Sequence, residues 1–93
     1  MHHLTLSQFR TTLDTGGILS VALVGQGGSF FIQAETRKGD AVLTKARGSD
    51  LREFRDVTKA LRLLRELGVC EARIDARNWR PEQADLGPRA ATR

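Results

Sequence analysis

The stretch "ILSVALVGQGGSFFIQAETRKGDAVLTKAR", residues 18 to 47, decides the fold. Its middle alternates: Phe30, Ile32 and Ala34 fall on one side, Phe31, Gln33 and Glu35 on the other. A period of two is the mark of a half-buried strand. The apolar run "ILSVALV" before it reads as a strand and "AVLTKAR" after it as another, with "GQGG" and "KGD" as the turns. Strands joined by turns this short pair antiparallel, so the centre of the chain is predicted to be a three-stranded meander. "GSD" then turns into "LREF", a short fourth strand at an edge.

A sheet with one apolar face must be covered, and both flanks offer a helix. Upstream, "LTLSQFRTTLDTGG" sets Leu6, Phe9 and Leu13 on one face. Thr5 and Gln8 have capping-box spacing, with Leu4 and Phe9 as the hydrophobic staple. Gly16 and Gly17 end the helix. Downstream, in "REFRDVTKALRLLRELGV", residues 52 to 69, Asp56 is the N-cap. Val57, Ala60, Leu61, Leu64 and Leu67 recur at helical spacing, and Leu61, Leu64 and Leu67 are expected to pack on the sheet. Gly68 and Val69 have the positions of a Schellman motif. "CEARIDARNW" alternates again, with Cys70, Ala72, Ile74 and Ala76 inward and Glu71, Arg73, Asp75 and Arg77 outward, as a last strand.

The expectation is therefore an α+β fold in the order α-β-β-β-(β)-α-β. An antiparallel sheet of four to five strands carries two helices packed on one face. Residues 1–80 form a single domain, and residues 81–93 form a C-terminal tail with little to bury. The uncovered sheet face would carry Phe31, Gln33, Glu35, Thr44, Arg73, Asp75 and Arg77.

The 93 residues suit one small domain, for which a partner or a second copy adds useful buried surface. The formal charge is +4, from 15 basic and 11 acidic residues, and lysine occurs only at Lys38, Lys45 and Lys59. Arginine suits phosphate or carboxylate recognition, and it also accumulates in sequence of high GC content. A lone cysteine, Cys70, excludes an internal disulfide. With no signal-peptide core at the N-terminus and no apolar run of membrane-spanning length, the reading is cytoplasmic, with no membrane partner.

Two basic clusters are candidate contacts for nucleic acid or a protein partner. Arg62 and Arg65 lie on the back of the second helix, where Glu66 partly offsets their charge. A solvated helix back is the plainer reading, and no second helix stands close enough to make a helix-turn-helix. Arg73, Arg77, Trp79 and Arg80 form the other cluster. Arginines beside an aromatic on a sheet can stack bases; equally, Trp79 can close the end of the core or meet a second copy. His2, His3 and Cys70 do not supply the spaced ligands a zinc site needs, and Cys70 reads as a small buried apolar residue. "GQGG" joins two strands with no following Lys-Ser/Thr, so it is no phosphate loop. Neither paired carboxylates nor a nucleophile with a base can be found by spacing. The chain is expected to be no enzyme and to use no cofactor.

The string "REFRD..KAL.LLRELGV..ARID...WRPEQ", residues 52 to 83, resembles the small ParC-type partition-associated proteins of bacterial plasmids and integrative elements. The resemblance extends more loosely back to residue 4. It implies a non-enzymatic accessory role beside partition or transfer genes, and no catalytic or cofactor residues. Those proteins often have proline after the capping Asp, where this chain has Val57. The expected partner is a second copy, as a homodimer, or a partition or transfer protein. Weak, sequence-independent nucleic-acid binding through the surface arginines is the alternative.

Overall fold

The computed structural model describes residues 1–46 and 50–84. Strand β1 (His2–Leu4) leads into helix α1 (Leu6–Asp14), followed by β2 (Ile18–Gly27), β3 (Ser29–Thr36) and β4 (Gly39–Leu43). A two-residue strand β5 (Glu53–Phe54), helix α2 (Val57–Glu66), strand β6 (Arg73–Trp79) and a short helix α3 (Pro81–Ala84) complete the order. The "GSD" turn falls mostly, and residues 85–93 of the expected tail fall entirely, outside the described residues.

The fold is α+β, as the periodicities require, and the central meander β2-β3-β4 is antiparallel. The sheet as a whole is mixed, which corrects the all-antiparallel expectation. Its order is β1-β4-β3-β2-β6, with β5 also pairing β3. β1 runs parallel to β4, and β6 parallel to β2. The reason is topological. A helix between two strands of one sheet returns the chain in the direction it left, so β1-α1-β2 and β5-α2-β6 are parallel crossovers spanning the meander. β1 went unseen in the sequence because three residues, His2 to Leu4, carry no readable period. β5 and β4 both lie along β3, opposite its first and second halves respectively.

Local chemistry fixes the helix ends. Thr5 Oγ1 accepts from the Gln8 amide at 3.3 Å and Gln8 Oε1 accepts from the Thr5 amide at 2.9 Å, the expected capping box. Asp56 Oδ1 accepts from the Thr58 amide at 2.9 Å at the start of α2. At its end the Val69 amide donates to the Leu64 carbonyl and the Gly68 amide to that of Arg65, the paired bonds of a Schellman motif. Gly68 takes φ +94°, open to glycine at little cost.

Helices α1 and α2 cover the same sheet face. Phe9 of α1 and Ala60 and Leu64 of α2 bury into one core with Val21, Leu23, Phe30, Ile32, Ala34 and Leu43. Helix α2 presents a narrower stripe than its spacing suggested: Leu64 is 1% exposed and Leu67 half-buried, but Leu61 is 42% exposed. Thr44, expected on the wet face, is 2% exposed, and its amide and hydroxyl both donate to the Leu4 carbonyl, tying β1 to β4. Among the described residues no helix is long and apolar enough to cross a membrane.

Candidate interaction surface

β6 is the outermost strand. It pairs with β2 on one side, and among the described residues no strand covers its other side. Its register with β2 sets Arg73 beside Ala22, Ile74 beside Leu23 and Asp75 beside Val24. Leu23 belongs to the core, so Ile74 faces the helix side and Arg73 and Asp75 face the open side, as the alternation predicted. The burial expected for that inward row does not follow. Ile74 is 57% exposed, and Ala76 and Cys70 are exposed too. The helices roof the centre of the sheet and leave Ile74 and Ala76 of its last strand exposed, so inward-pointing is not buried here. The Arg65 guanidinium, not the core, meets the Cys70 sulfur, at 3.0 Å.

The pairing slips between Val24 and Gln26: three steps of β6, from Asp75 to Asn78, match two of β2. This bulge has a visible cause. A Cβ on Gly25 would stand 2.5 Å from Trp79 Cβ and 3.1 Å from the Phe30 ring, so only glycine admits the returning strand there. Trp79 lands on the helix side against Phe30, ring centroids 5.4 Å apart and tilted 37°. Its indole Nε1 is buried without a hydrogen-bond partner among the described residues. Trp79 thus closes the end of the core, half-buried with its ring against Phe30.

On the open side the bulge folds Arg77 back onto Asp75. The guanidinium is bidentate, at 3.0 and 2.7 Å, and the Arg77 amide adds a third contact at 3.2 Å. These hydrogen bonds hold the Asp75 carboxyl down at about 2 and push the Arg77 guanidinium up. Arg73 shares a shallow cleft of about 260 Å³ with Ser20, Gln33 and two acids, Glu35 and Asp40. Arg62 and Arg65 sit on α2, across the sheet from Arg73. Arg80 follows the strand, its amide bonded to the Gly27 carbonyl. The six candidate residues therefore do not converge. Arg73 and Arg77 share the open side of β6, Trp79 is turned into the core, and Arg62 and Arg65 belong to another surface.

A cleft of about 520 Å³ lies at the opposite end of the sheet, lined by His2, His3, Thr12, Thr15, Arg37 and Lys38 among others. Its cations suggest an anion site, but its other groups oppose one. The C-terminal end of α1 faces it with partial negative charge. Thr12 and Thr15 donate their hydroxyls to helix carbonyls, and Arg37 Nε donates to the Gly16 carbonyl. Among the described residues no group of three or more His, Cys, Asp or Glu could hold a metal ion. Searches of family models, curated proteins and solved structures find no match to this chain.

Proposed function

We propose that this chain is a non-enzymatic, cytoplasmic accessory protein of a mobile genetic element, partition-associated, and that it works by binding protein, in the first place a second copy of itself. The observation that carries the reading is the seven-residue strand β6, whose outer edge no strand covers among the described residues, with Ile74, its second residue, 57% exposed. Unpaired strand edges are ready templates for another strand, and an exposed apolar residue there adds burial to backbone pairing. A partition or transfer protein is the further partner that the resemblance of residues 52 to 83 supports.

The non-catalytic part of the proposal rests on how the acids are used. Asp56 caps α2, Asp75 holds Arg77, and Glu35 and Glu53 accept from Ser20 and Ser29 at 3.3 and 2.8 Å. The test is sedimentation velocity at micromolar concentration. A species of twice the 10.3 kDa chain mass is expected, and a monomer throughout overturns self-association.

A further inference from the structure

Resting on that reading of self-association, we infer that two copies join edge to edge through β6, antiparallel, about a twofold axis at Ile74. The sequence of the edge carries the inference. Residues 71 to 77, the two that precede β6 and its first five, read "EARIDAR", and the string is complementary to its own reverse. About this axis Ile74 meets the partner's Ile74, Arg73 meets the partner's Asp75, Ala72 meets the partner's Ala76, and Glu71 meets the partner's Arg77. Every charge faces its opposite, and every small or apolar side chain faces another.

The facing of the side chains fits. Directly opposed residues of an antiparallel pair share a face of the sheet. Ile74 points to the helix side and Arg73 and Asp75 to the open side, so the apolar contact and the charge contacts form on separate faces. The bulge keeps Arg77 on the open side, bound to Asp75. That fork leaves further acceptor sites on the Asp75 oxygens for the partner's Arg73. Ile74, bare in the single chain, is covered by its twin.

The two neighbouring registers are penalised. A slip centred on Asp75 sets Arg73 against the partner's Arg77 and Asp75 against the partner's Asp75. A slip centred on Arg73 sets Glu71 against the partner's Asp75 and Arg73 against the partner's Arg73. Edge charges and a bulge are the usual defence against indiscriminate pairing, and here they oppose the two registers next to the one centred on Ile74. The axis is perpendicular to the sheet, so the helices of both copies stay on one side and the two open faces merge into one surface. The far edge, β1, is three residues long and has no such pattern.

The test is a charge swap. Arg73→Asp and Asp75→Arg each put like charges in register twice per dimer, and each variant alone should dimerise about tenfold or more weakly. Mixed in equal amounts, the two should associate as a heterodimer near wild-type strength, because the exchanged side chains meet opposite charges again. In a second arm, Cys70→Ser/Ile74→Cys should form an intermolecular disulfide under mild oxidation, since position 74 meets itself. A wild-type dimer that ignores both charge swaps and gives no 74–74 cross-link overturns this register and leaves self-association standing. A wild-type monomer overturns self-association and the register with it.

Discussion

Gly25 shows how one residue sets the end of this domain. Its missing side chain lets the β6 backbone close on β2, and the bulge so formed turns Trp79 inward and Arg77 back to Asp75. Gly25→Ala sets a methyl group against Trp79 Cβ, an atom beside the backbone that cannot swing away. Overpacking of this kind costs about 1–3 kcal/mol. Urea unfolding followed by the emission of Trp79, the one tryptophan, should show that loss and a native-state spectral change. Asp75 makes a second prediction at this scale. Its folded carboxyl is lowered from 3.8 to about 2, so whatever it contributes is complete above about pH 4 and disappears as pH falls toward 2. Urea midpoints of wild type and Asp75→Asn should therefore converge near pH 2 and separate above pH 4. The gap should be small and should shrink in salt, because the Arg77 side chain is 86% exposed. A gap that widens toward pH 2 would mean the pair is not what lowers this carboxyl.

At the scale of elements, α2 separates pattern from burial. Leu61 and Leu64 are three residues apart and equally apolar, yet one is 42% and the other 1% exposed. Leu64→Ala should cost about 2–5 kcal/mol, as full burial requires. Leu61→Ala should shift the urea midpoint far less. Equal losses would place Leu61 in a contact that the isolated chain does not make. The same distinction explains what the sequence made legible. Alternation in residues 30 to 35, the Thr5–Gln8 box and the Asp56 cap are local, and each was readable. The parallel placement of β1 and β6 was not, because it depends on where two crossovers land. Nor was the exposure of Ile74 readable: its facing follows from a period of two, but its cover depends on how far the helices reach over the sheet. The edge itself, as a candidate surface, was visible as a cluster of arginines and not as a self-complementary string, since that property matters only once β6 stands at the end of the sheet with no strand beyond it among the described residues.

For the whole molecule the question is what a net charge of +4 does when it is spread over two surfaces. Arg62 and Arg65 lie on the back of α2, while Arg73 and Arg77 lie across the sheet, one beside Glu35 and Asp40, the other bound to Asp75. A rigid duplex can lie against only one of these surfaces at a time. Had all the candidate arginines shared a face, the slope of log affinity on log salt would be near −4, since each neutralised phosphate releases condensed counterion. With two arginines on a side, the slope should be roughly −2, and binding at physiological salt should be weaker than micromolar. Fluorescence anisotropy of a labelled duplex across a salt series measures both quantities. Arg62→Ala/Arg65→Ala and Arg73→Ala/Arg77→Ala, compared in that series, show which surface supplies the weak attraction. The second pair of substitutions should matter less, because acids already offset those charges. Sub-micromolar binding with a slope near −4, lost in Arg62→Ala/Arg65→Ala, would make the back of α2 a nucleic-acid surface and displace protein binding as the leading reading.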